Sequence, residues 1–125
     1  MASKKVLVID DEKLLVRSIC MGLRFRGMET EQALDGESGL ETAKTTAPDI
    51  ILLDIMMPRL DGWEVLQRLK EDPATADIPV IVFTAREYRD GSELARERGA
   101  AAFIAKPFEM DDLVEVMLAN MNGGR

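Results

Sequence analysis

Residues Pro48–Asp54 read PDIILLD, four aliphatic residues in succession between Pro48-Asp49 and Asp54. A run this short, apolar at every position rather than alternating, suits a strand covered on both faces. Moving outward, the pattern recurs. Lys5–Asp10 is KVLVID, Pro79–Thr84 is PVIVFT, and Ala101–Ala105 (AAFIA) is a weaker copy. Met28–Ala33 (METEQA) is a poor strand by propensity. A strand is expected there because two helices would otherwise need a very long connection.

The segments between these runs have helical periodicity. In Glu12–Arg26, Val16, Ile19, Cys20 and Leu23 form one stripe, and Gly27 follows where a helix end favours positive φ. Glu37–Thr45 stops before Pro48, and Gly62–Glu71 carries Val65, Leu66 and Leu69 on one side. Tyr88–Arg98 is strongly charged and ends at Gly99, while Met110–Met121 places Leu113, Val114, Met117 and Leu118 at helical spacing. Strand and helix alternate five times, which predicts an α/β layer fold around a mostly parallel sheet. Right-handed crossovers then put helices on both faces.

Length and composition narrow the function. The 125 residues fit one domain, and acids outnumber bases 23 to 16 for a net charge of -7. Such a chain is a poor match for a nucleic-acid phosphate backbone. One cysteine excludes an internal disulfide and a cysteine zinc site, and the absence of histidine excludes imidazole chemistry. The apolar run after Lys4-Lys5 is too short for a signal peptide, and no stretch reaches the ~20 residues that span a bilayer. A soluble, cytoplasmic protein without membrane contact is expected.

In an open parallel sheet, sites form at the carboxyl ends of the strands. Those ends carry Asp10-Asp11, Asp54, Thr84-Ala85 and Ala105-Lys106-Pro107. Each residue alone has a plain structural reading. Asp10 or Asp11 suits a helix cap, Asp54 a turn before Pro58, Thr84 a hydroxyl-bonded turn, and Lys106 a surface lysine. Cys20 and most of the eight methionines read as packing, and Arg86–Arg98 as a solvated helix face. Jointly, the strand-end residues predict one pocket. Crowded carboxylates repel one another, and two cations relieve them: Lys106 and a divalent metal. An oxygen-only donor set selects a hard ion, Mg²⁺ or Ca²⁺, and a small site that retains water suits Mg²⁺.

The segments VLVIDDE (Val6–Glu12), PDIILLDIMMPRLDGWEVL (Pro48–Leu66), PVIVFTA (Pro79–Ala85) and GAAAFIAKPF (Gly99–Phe108) resemble, in this order, the receiver domain of two-component response regulators. The match spans essentially the whole chain, like a single-domain chemotaxis-type regulator or a receiver detached from a larger protein. It implies one receiver domain over residues 1–125 with a flavodoxin-like, doubly wound fold. That fold has a five-stranded parallel sheet in the order 2-1-3-4-5 and five helices in three α/β/α layers.

The resemblance also implies residue roles. Asp54 is the phosphoacceptor. Asp11 binds Mg²⁺ directly, Asp10 mainly through water, and Asp54 and the main-chain carbonyl of Met56 complete the protein ligands. Thr84 hydrogen-bonds the phosphoryl group, Lys106 pairs with it, and the Lys106-Pro107 bond is cis. Thr84 and Phe103 form the switch: Thr84 moves toward the phosphoryl group, and the Phe103 ring fills the space it leaves. Met56 and Arg86 border the phosphoryl group and tune its hydrolysis. The donor is a phosphohistidine on a sensor histidine kinase or histidine phosphotransfer protein, or a small molecule such as acetyl phosphate. The output is a downstream protein bound by the face of the fourth helix, fifth strand and fifth helix. The domain assists its own phosphorylation and dephosphorylation and is not otherwise an enzyme.

Three other readings fit less well. An aspartate-nucleophile phosphohydrolase wants a second acid where Met56 stands, and a substrate cap. A flavodoxin-like cofactor binder needs a phosphate cradle where Asp10-Asp11-Glu12 would repel phosphate. A non-phosphorylated receiver-like module would normally have lost one of the five pocket side chains, all of which are present.

Overall fold

The computed structural model describes residues 3–57, 60–85 and 91–122. Strands and helices alternate from β1 (Lys5–Ile9) and α1 (Lys13–Phe25) through β2 (Glu29–Ala33), α2 (Gly36–Thr46), β3 (Ile50–Asp54) and α3 (Gly62–Glu71). They continue with β4 (Val80–Ala85), α4 (Gly91–Glu97), β5 (Ala102–Lys106) and α5 (Met110–Asn122). The ten expected elements are present, with ends displaced by a residue or so. For the charged helix expected over Tyr88–Arg98, the structure describes α4 only from Gly91. Pro58 and Arg86 lie outside the described residues.

The five strands form one parallel sheet in the order β2-β1-β3-β4-β5. Register brings their carboxyl ends level: Ile9 is opposite Ala33 and Leu53, Asp54 opposite Phe83, and Ala85 opposite Lys106. The poor strand β2 forms at the sheet edge, where its backbone pairs with β1 and Ala33 alone among its side chains is fully buried.

Side-chain alternation splits the core in two. Leu7, Ile9, Ile51, Leu53, Val80 and Val82 face one way and meet Ala43 of α2, Val65, Leu66 and Leu69 of α3, and Ala95 of α4. Val6, Val8, Ile50, Leu52, Ile81 and Phe83 face the other way, against Val16, Ile19, Cys20 and Leu23 of α1 and Leu113, Met117 and Met121 of α5. The stripe expected on α5 turns slightly: Met121 is buried, and Leu118 is exposed. Arg26 at the end of α1 bonds the exposed Asp111 in the first turn of α5 at 2.7 Å. No helix among the described residues is long and apolar enough to cross a membrane.

Candidate functional site

Each strand delivers its last residues to one rim of the sheet. Asp10 follows β1, where its N–H still donates to Ala33 O at 3.1 Å, so the ladder fixes the backbone from which this side chain projects. Asp54 ends β3, Thr84 is the penultimate residue of β4, and Lys106 ends β5 before a cis Lys106-Pro107 bond. Asp10, Asp54 and Thr84 are all buried at the end of an otherwise apolar core.

The lysine joins the acids. Lys106 Nζ lies 3.0 Å from Asp10 Oδ2, 3.2 Å from Glu12 Oε1 and 3.4 Å from Asp54 Oδ2. Its ammonium also sits 5.0 Å above the Phe83 ring, which Phe108 braces edge-on with 5.8 Å between ring centroids. Lys106 is therefore no surface lysine, and contacts from distant parts of the same chain hold its charge in place.

The acids have turn bonds of their own. Asp10 Oδ1 accepts the Glu12 N–H, and Asp54 Oδ1 accepts the Met56 N–H, both at 3.0 Å. Asp54 thus does take part in a turn, as its neighbourhood suggests, while its other oxygen faces Lys106. Asp10 does not cap α1. Glu12 occupies that place, and its side chain makes no capping bond. Thr84 breaks the pattern: its Oγ1 is buried and has no hydrogen-bond partner among the described residues. Such a hydroxyl costs free energy until something accepts or donates to it.

Electrostatics follow from burial. Desolvation pushes the Asp10 carboxyl up to about 7, and the nearby Asp54 charge adds to this against the opposing Glu12 N–H and Lys106 ammonium. Asp54 is raised for the same leading reason, with the Met56 N–H and Lys106 acting against it. Burial disfavours the Lys106 charge, yet its bonds and attraction to Asp10, together with Asp54 and Glu12, hold it above its ordinary value.

Carboxylate oxygens of Asp10, Asp11 and Asp54 lie within 4.8 Å of one another. Three hard oxygen donors, two buried and one exposed, fit a divalent cation open to water on one side. The chemistry available is that of a carboxylate nucleophile beside a fixed ammonium, a buried hydroxyl and a metal-competent acid cluster.

Asp10, Asp11, Asp54, Thr84 and Lys106 therefore meet at one rim. Met56 lies beside them, with its backbone bonded to Asp54 and its side chain exposed. Phe103 is half-buried on β5 and packs against the core cluster on the α3 and α4 side. Sequence reasoning missed Glu12 as a partner of Lys106, and the Phe83 ring beneath the ammonium. The signal for Glu12 was its place directly after the strand-end acids, at a helix start where glutamate is an indifferent cap.

Comparison with known proteins agrees with this architecture. The family model described as response regulator receiver domain matches residues 6–118. Response regulator PleD of Caulobacter vibrioides is 41% identical over 107 residues, covering 86% of this chain and 24% of that protein. The DNA-binding dual master transcriptional regulator RpaA of Synechocystis sp. is 36% identical over 110 residues, covering 88% of this chain and 46% of that protein. The chain thus spans less than half the length of both relatives. The receiver domain of a Francisella response regulator superposes with a TM-score of 0.87 at 30% identity, covering 98% of this chain and all of that one.

Proposed function

The chain belongs to the response regulator receiver domain family, and on that premise we propose that it is the phosphoacceptor of a two-component phosphorelay, with Asp54 as the residue modified. The observation that carries this reading is the lysine bridge: one ammonium within hydrogen-bond reach of both buried strand-end carboxylates, Asp10 and Asp54. A phosphohistidine of a sensor kinase or phosphotransfer protein serves as donor, because the chain has no histidine.

A carboxylate oxygen of Asp54 attacks phosphorus. As the new O–P bond forms, the P–N bond to the donor imidazole breaks and its electron pair stays on nitrogen. Charge spreads over the transferring oxygens, so the protein's task is positioning and neutralisation. Lys106 supplies a fixed positive charge from one side. Thr84 supplies the buried hydroxyl that lacks a partner among the described residues. Asp10, Asp11, Asp54 and the Met56 carbonyl would hold Mg²⁺, whose charge offsets the repulsion between an incoming phosphoryl group and the acids.

The domain assists gain and loss of its own phosphoryl group and turns over no separate substrate. Phosphorylation draws Thr84 toward the new oxygens, and Phe103 follows into the vacated space. This reshapes the α4–β5–α5 face for a downstream protein. With a net charge of -7 the segment itself suits protein contact better than nucleic acid. The proposed setting is the cytoplasm, and residues 1–125 act as one receiver domain.

Intact mass after incubation with acetyl phosphate and Mg²⁺ tests the assignment. One phosphoryl gain is expected in the wild type and none in Asp54→Asn or with chelator. A gain that persists in Asp54→Asn would relocate the site.

A further inference from the structure

An ammonium has three N–H bonds, and Lys106 has three carboxylate partners: Asp10, Glu12 and Asp54. If Asp54 accepts a phosphoryl group, which is the reading this inference rests on, Lys106 has to turn an N–H toward the new oxygens. Asp54 loses its own charge on phosphorylation, and its long 3.4 Å contact passes to the new oxygens; the ammonium that follows them is drawn away from Asp10 or Glu12, and burial decides which. The side chains of Asp10 and Asp54 are 0% and 3% exposed, whereas Glu12 is 62% exposed. Leaving Asp10 would strand a charge away from water. Glu12 is rehydrated as the lysine departs.

Glu12 also has no competing duty. It stands at the cap of α1, yet its side chain makes no bond to the helix. Its N–H, which any residue would supply, is the part that binds Asp10. Among the described residues the partner of its carboxylate is Lys106. We propose that Glu12 is a positioning residue, an exchangeable latch that holds Lys106 at the mouth of the site and competes with the phosphoryl group for its ammonium.

The affinity of the phosphoryl mimic beryllofluoride, with Mg²⁺ present, measures that competition. Its binding is read from the fluorescence of Trp63, the single tryptophan, two residues into the helix that backs Asp54. Glu12→Ala is expected to tighten binding about fivefold while Lys106 is present, the scale of a partly exposed ion pair. The same substitution in a Lys106→Met background is expected to change nothing. In the metal-free protein, the Lys106 Nζ resonance should move in Glu12→Ala with the melting temperature little altered.

A gain of equal size without Lys106 would assign the effect to removal of a charge and overturn the latch. Should Lys106→Met fold or bind too poorly to read, Glu12→Ala is compared with Glu37→Ala, which removes the same charge from an exposed position at the start of α2. A latch predicts a gain in Glu12→Ala alone, and an equal gain in both overturns the proposal. Wild type that binds beryllofluoride with no change in Glu12→Ala sinks the latch alone. Wild type that neither binds beryllofluoride nor gains a phosphoryl group sinks the phosphoacceptor reading, and the latch with it.

Discussion

Lys106 is what allows Asp10 and Asp54 to share a dry rim, and its hold is incomplete. Burial still lifts Asp10 from 3.8 to about 7, with Asp54 raised as well. The sign of the consequence follows from proton counting. Between 3.8 and about 7 the folded carboxyl keeps a proton that the unfolded chain has lost, so stability falls as pH rises through that window. In chelator, the denaturation midpoint should therefore climb as pH is lowered from about 7 toward 5. Mg²⁺ needs ionised ligands, so its stabilisation should be largest at and above neutrality and fade on acidification. Denaturant melts across pH, with and without Mg²⁺, check both slopes; a metal-free protein that weakens steadily on acidification over this range would contradict them. Asp10, Asp11, Asp54, Thr84 and Lys106 were legible in the sequence because each ends a recognisable apolar run. Glu12 was not, because a glutamate at a helix start normally faces water, and its partner lies 94 positions away.

Helix ends carry the clearest tests among the elements. Gly27, just past α1, has φ 88, while Ala47 at the end of α2 has φ 47 and an exposed side chain. The left-handed region costs an L-residue with a Cβ about 1–2 kcal/mol and glycine almost nothing. Gly27→Ala should therefore destabilise by about 1 kcal/mol, and Ala47→Gly should stabilise by somewhat less, since glycine also loosens the unfolded chain. Equilibrium denaturation reads both, and equal signs would refute the argument. The end of α1 was legible because a glycine marks it. The left-handed end of α2 was not, because alanine gives no such signal. Gly62 poses a different constraint at the start of α3. A Cβ there would lie 2.2 Å from Ile55 Cα and 2.4 Å from Asp54 O. Because backbone rather than a side-chain tip must move, Gly62→Ala should cost about 3 kcal/mol, the upper range for overpacking. It should also weaken beryllofluoride binding by displacing Asp54. A loss no larger than that of Gly27→Ala would show that the contact relaxes freely.

Across the whole molecule, the sheet divides two cores that share the same strands, so neither face can open far without exposing the other. The alternation of strands and helices was legible from periodicity. The order β2-β1-β3-β4-β5 was not: fully apolar runs such as Ile50–Leu53 are compatible with several neighbours, and the order came from resemblance to a family. Cys20 offers a probe of how far the molecule behaves as one cooperative unit. It is completely buried on α1, against the core shared with α5, and burial raises its thiol above the ordinary value. A buried, protonated thiol does not react, so a disulfide reagent must wait for an opening. If α1 leaves the sheet only when the whole domain unfolds, labelling should be slower than in denaturant by the global unfolding constant. Its dependence on denaturant should then match the equilibrium slope. Rapid labelling with a shallow denaturant dependence would mean that α1 detaches alone, and the two faces would then be separate cooperative units.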